Sequence, residues 1–159
     1  MKENFTNWVK FADRKEKLRE ELKSPGIYAI AYFKGELKKT DFNYTKEIVY
    51  FGMTNSIGGL KSRLRQFDNT INNEKSEHGG ALRFRGDKKD LYVSVWPFNN
   101  CDVKILDNGS IKKENKEKAV KILQLMGEVA KAEYFCFAKY VELFGEMPRF
   151  NNKKDNPKG

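Results

Sequence analysis

The sequence predicts an α/β chain of the α+β kind, with a small central sheet of three antiparallel strands flanked by helices. Three observations predict it. Short aromatic and β-branched runs at 26–33, 47–53 and 91–97 have the composition of largely buried strands. Apolar residues recur at helical spacing between and after these runs, first over 60–71 and again over about 111–144. With 159 residues the chain can also bury one core without disulfides or a structural metal.

Taken in order, residues 4–23 read as a helix, with Phe5, Trp8, Val9, Phe11, Leu18 and Leu22 as a broken apolar stripe that Pro25 ends. Trp8 and Phe11 look exposed on it, free to cover the sheet or meet a partner. Gly-Ile-Tyr-Ala-Ile-Ala-Tyr-Phe over 26–33 and Glu-Ile-Val-Tyr-Phe-Gly-Met over 47–53 are the natural antiparallel pair. Leu60, Leu64, Phe67 and Ile71 then mark one face of a helix, 72–80 is a polar loop, and 91–97 supplies the third strand. An irregular connection over 99–109 leads to the long helix, in which Gly127 predicts a break or kink and which Gly145 and Pro148 end. The divisions are a helical extension over 1–25, a domain over 26–151 and a mobile basic tail over 152–159.

The charge balance is 31 Lys and Arg against 22 Asp and Glu, or +9. That surplus points to a polyanionic partner. Aromatics at 13% exclude a disordered basic chain. No run approaches the roughly 18 apolar residues of a membrane helix, so no membrane role is expected. The opening residues lack a secretory apolar core, and Cys101 and Cys136 make no metal-type spacing with each other or with His78. A reduced, cytoplasmic protein is the expectation.

Several polar residues stand in apolar surroundings. Arg63 lies at the margin of the buried stripe of its helix, either a snorkelling cation or a fixed anion ligand, whereas Arg65 points away. Glu133 has Val129, Ala130, Cys136 and Phe137 as its helical neighbours and so needs a partner, while Glu128 sits on a face that can be solvated. It is the better metal or acid–base candidate of the two. Tyr28 and Tyr50 sit in apolar strands, and His78, the sole histidine, sits in a loop that reads as exposed, followed by two glycines that permit close approach.

Gly26-Ile27-Tyr28 in the first strand and Tyr50-Phe51-Gly52 in the second resemble the two signature tripeptides of the GIY-YIG nuclease family, with Phe51 where isoleucine or valine is usual. The order of the remaining elements is similar too: a helix carrying Arg63, a histidine at His78, a later helix carrying Glu133, and Gly145-x-x-Pro148-x-x-Asn151 near the end. The resemblance spans 26–151. It implies a metal-dependent endonuclease hydrolysing phosphodiester bonds in DNA, with RNA left open as a partner. By resemblance Glu133 would hold one divalent ion, Mg²⁺ or Mn²⁺, and Arg63 would bind the scissile phosphate. Tyr28 would orient or deprotonate the attacking water, with His78 and Tyr50 assisting, and Asn151 would fix the local geometry. Lys61, Arg65, Arg83, Arg85, Lys88 and Lys89 are candidates to track a nucleic-acid backbone, with Phe84 interleaved among them, against the alternative that they are solubilising charges. Two other readings compete: a nucleic-acid-binding module that keeps the fold and does not cut, and a small basic RNA- or ribosome-associated protein.

Overall fold

The computed structural model describes residues 1–72, 78–85, 90–99, 101–107 and 109–152. Its frame is an antiparallel sheet in the order β1-β4-β2-β3, built from β1 (Val9–Lys10), β2 (Gly26–Tyr32), β3 (Ile48–Thr54) and β4 (Leu91–Pro97). The three central runs form where the sequence predicts strands, and β2 pairs with β3 in the antiparallel sense expected.

The sheet has four strands among the described residues rather than three, because the predicted helix over 4–23 does not form. After an extended start, β1 pairs with the free edge of β4, placing Val9 opposite Val93 and Lys10 opposite Tyr92. Thr6 extends the match, its amide donating to the Val95 carbonyl at 2.8 Å and its hydroxyl accepting from the Val95 amide at 3.1 Å. An unpaired strand edge offers more backbone hydrogen bonds than a helix with so broken a stripe can repay in packing. What remains helical is a turn at Phe11–Asp13, the four-residue α1 (Arg14–Lys17) and a turn at Glu21–Lys23. Trp8 and Phe11 are buried, not exposed, and they enter opposite layers of the core.

Two further helices sandwich the sheet. The side chains of β2 alternate as a two-residue period requires: Tyr28 and Ile30 join Leu60, Leu64 and Phe67 of α2 (Gly59–Ile71), whereas Ile27, Ala29 and Ala31 join Val129, Ala132, Cys136 and Tyr140 of α3 (Lys116–Phe144). The long helix begins five residues later than its pattern suggests, after a turn at Lys113–Asn115, and runs unbroken through Gly127. Gly145, in a left-handed conformation (φ 73°), ends it by donating its amide to the Val141 carbonyl at 2.8 Å. Among the described residues no helix is long and apolar enough to cross a membrane.

Candidate active site

Strand β3 is an edge of the sheet, and there the two helical layers meet. Register brings the tripeptides together: Tyr28 faces Gly52 across the β2–β3 pair. A Cβ at position 52 would stand 2.3 Å from Cζ and Oη of Tyr28, so the ring occupies the space a side chain would fill. Gly80 does the same for the second tyrosine, since a Cβ there would stand 2.4 Å from the Tyr50 hydroxyl. Of the two glycines after His78, Gly80 is the one at which a close approach is made, by Tyr50.

The loop histidine lies deep inside, at 1% exposure, and not at the surface as its loop composition suggests. Its backbone amide donates to Thr70 Oγ1 at 3.0 Å, and its Nδ1 accepts from the Ala81 amide at 3.2 Å. With the Nδ1 lone pair engaged, the neutral ring carries its proton on Nε2 and donates it to Tyr28 Oη, 2.6 Å away. Burial first, and then the charge of Arg63, push the His78 pKa down to about 3, so the ring is neutral at physiological pH. It acts toward Tyr28 as a donor, not as a base.

Tyr28 is fully buried. Burial, reinforced by Tyr50, raises its pKa well above 10, with Arg63 opposing the rise. Tyr50 is shifted upward as well, by burial and by the Glu133 carboxylate. Both are phenols at neutral pH. Arg63 is half-buried, as its position at the margin of the stripe predicts, with Nη1 donating to Gln66 Oε1 at 3.1 Å. Among the described residues it has no carboxylate within ion-pair distance. Arg14 shows the contrast: it is buried, bound to Asp68 at 3.1 Å and to the Phe11 carbonyl at 3.0 Å, with its charge neutralised inside the protein. A cavity of about 500 Å³ beside Arg14 and Asp68 holds none of the six motif residues.

Glu133 reaches this edge from α3. Its pKa is raised by burial and held down by Arg63, and it acts in turn on Tyr50. Five motif residues from five separate segments thus share one electrostatic site. Asn151, the sixth, clamps the outer edge of β3. Its Oδ1 accepts from the Phe51 amide at 2.8 Å, and its Nδ2 donates to the Phe51 carbonyl at 2.9 Å. In this way it stands in for a further strand and holds the Tyr50-Phe51-Gly52 backbone in place.

No family model, curated protein or solved structure matches this chain. What the site can do therefore rests on its own geometry. Tyr50, Arg63 and Glu133 are the half-buried groups that solvent reaches, backed by the buried Tyr28–His78 pair. Among the described residues no three His, Cys, Asp or Glu side chains gather into a metal cage. The available donor set, one carboxylate with a phenol oxygen as neighbour, suits a hard cation that keeps several of its waters, such as Mg²⁺ or Mn²⁺, and does not suit Zn²⁺.

The proposed backbone-tracking residues divide. Lys61 and Arg65 are exposed on α2. Arg83 donates to the Phe150 carbonyl and Arg85 to the Thr70 carbonyl at 2.8 Å, so both also brace the protein itself. Phe84 between them is fully buried and offers no face for stacking on a base. Lys88, Lys89 and the tail over 153–159 lie outside the described residues. Two supporting residues escape a motif reading: Gln66, which holds Arg63, and Thr70, which anchors His78. Gln66 has a signal in its i+3 spacing from Arg63; Thr70 has one only in being polar on a buried stripe.

Proposed function

We propose that the chain is a metal-dependent endonuclease of the GIY-YIG type that hydrolyses phosphodiester bonds in DNA. The observation that carries this reading is the gathering of Tyr28, Tyr50, Arg63, His78 and Glu133 at one edge of the sheet. There a guanidinium without a carboxylate partner among the described residues and a half-buried carboxylate flank two phenols. The excess of positive charge fits a polyanionic substrate.

In this reading Arg63, fixed by Gln66, binds the scissile phosphate and stabilises the charge that builds on it. Glu133 would hold one Mg²⁺ or Mn²⁺, which when bound would supply positive charge to the phosphate and leaving group and acidify water nearby. Tyr28 contributes orientation, since a phenol with so raised a pKa does not abstract protons at neutral pH. Held between His78 and Tyr50, it sets where the half-buried Tyr50 side chain aligns the attacking water.

The test is nicking of supercoiled plasmid at low salt with Mg²⁺ or Mn²⁺, comparing the natural chain with Glu133→Gln. The variant is expected to lose on the order of a hundredfold or more in rate, with an unchanged circular dichroism spectrum and unchanged salt-dependent DNA binding. Equal nicking by both proteins would remove Glu133 from the reaction. Salt-sensitive binding with no turnover by either would favour a module that binds and does not cut.

A further inference from the structure

Helix α3 carries more apolar surface than the fold uses. Its core face is Ala119, Ile122, Val129, Ala132, Cys136 and Tyr140. A second stripe, turned away from that face, follows a seven-residue repeat: Val120, Gly127, Tyr134 and Val141, with Leu123 and Ala130 at the intermediate positions. Val120 is 48% exposed, Leu123 56% and Tyr134 73%. A spacing of 3.5 residues is the signature of a helix that packs along another helix.

Gly127 points the same way. Glycine in the interior of an exposed helix is unfavourable and ordinarily signals a kink or close packing. Here α3 runs unbroken through it, and a Cβ at this position would meet nothing within 4 Å. Nothing among the described residues accounts for the glycine.

We infer that α3 pairs antiparallel with α3 of a second copy of this chain, Tyr134 of each lying over Gly127 of the other. The four seven-residue positions of the stripe are self-complementary in that register. With the twofold axis between Ala130 and Lys131, Val120 meets Val141 of the second copy, Leu123 meets its Ala138, and the largest exposed side chain meets the position with no side chain. The charges agree with the antiparallel sense. Leading into and opening the helix, Lys112, Lys113, Lys116 and Lys118 outnumber Glu114 and Glu117; near its end Glu142 is paired with Lys139, and Glu146 follows just beyond it, so Lys116 approaches Glu146 of the second copy. A parallel pair would set like ends together. Such an interface is isologous and closes at two copies. The pairing rests on the shape and charge of α3 and not on the proposed chemistry, so either can fail alone.

The experiment is sedimentation equilibrium of the full chain from about 1 to 100 μM, alongside Tyr134→Lys, Gly127→Leu and Gly127→Ala, with circular dichroism to confirm folding. The natural chain is expected at twice 18.5 kDa in the upper part of this range. Tyr134→Lys and Gly127→Leu are expected to weaken association at least tenfold. Gly127→Ala gives the cleanest contrast, because it raises the thermal midpoint of the dilute chain while weakening association. Lys116→Glu is expected to weaken the dimer, and Glu146→Lys added to it to restore the dimer. A natural chain that stays at 18.5 kDa throughout overturns the inference. So does a dimer that all three stripe variants leave intact.

Discussion

The two faces of the central sheet each bury a cluster of side chains and do so on different terms. Toward α3, strand β2 presents Ile27, Ala29 and Ala31 to Phe51, Trp96, Val129 and Ala132, a layer in which size and shape decide the fit. Toward α2 the same strand presents Tyr28 and Ile30. There the buried layer includes a histidine, a threonine and a tyrosine, each with a hydrogen-bonded partner. The difference teaches where chemistry can be built. Alternate residues of one strand can serve packing and reactivity separately, provided every polar group on the reactive face is satisfied by another on that face.

The largest effect is therefore expected where the reactive face has the least room. Gly52→Ala puts a methyl group into the ring of Tyr28, which is fully buried and tied to His78 and so has no cheap way to give. Overpacking of this kind costs about 3 kcal/mol and displaces Tyr28 from its partner. Urea unfolding is expected to show a lower midpoint at an unchanged slope, and cleavage should fall with it. A variant of natural stability would mean that the Tyr28 ring is not confined as described.

How much of this was legible in the sequence follows from the same comparison. Strands β2, β3 and β4 were legible from local composition and helix α2 from local spacing. The motif residues were legible as an ordered set, and the structure brings them to one edge. What the ordering could not convey is depth. His78 sits among loop-like residues, yet its partner Tyr28 is 50 residues away in sequence, so its burial is a tertiary property. The N-terminal segment failed for a related reason. Phe5, Trp8, Val9 and Phe11 fit a poor helix about as well as a chain crossing a sheet edge, and the free edge that decides between them belongs to β4, more than 80 residues later.

A pH effect of comparable or smaller size is expected, led by His78 on the α2 face. The folded pKa of His78 is about 3, against 6.5 for an unrestrained histidine. Between these values the unfolded chain binds a proton that the folded chain refuses, so stability falls as pH falls from about 6.5 toward 3. The slope from this group has a limit of about 1.4 kcal/mol per pH unit. Glu133 acts oppositely. Its pKa is raised by burial, so protonation relieves it and adds stability on acidification. Melting curves at pH 7, 6, 5 and 4 are expected to drop more steeply for the natural chain than for His78→Gln. Equal slopes would show that the imidazole titrates normally, and hence that it is not the buried neutral donor to Tyr28.

The smallest effect is expected on the other face, from Ile27→Val. Ile27 neighbours Tyr28 in sequence and is equally buried, but it points into the α3 layer, away from Tyr28 and Tyr50. Removing one methylene there costs about 1 kcal/mol in lost packing and leaves the nicking rate unchanged. Stability is read from the urea midpoint and activity from initial rates at a temperature where both proteins are fully folded. A rate loss as large as that of Gly52→Ala would show that the α3 layer transmits its packing to the reactive edge. A stability loss without a rate loss is what the division between the two faces requires: consecutive residues of one strand, equally hidden from water, answering to different demands because a pleated strand turns each successive side chain to the opposite layer.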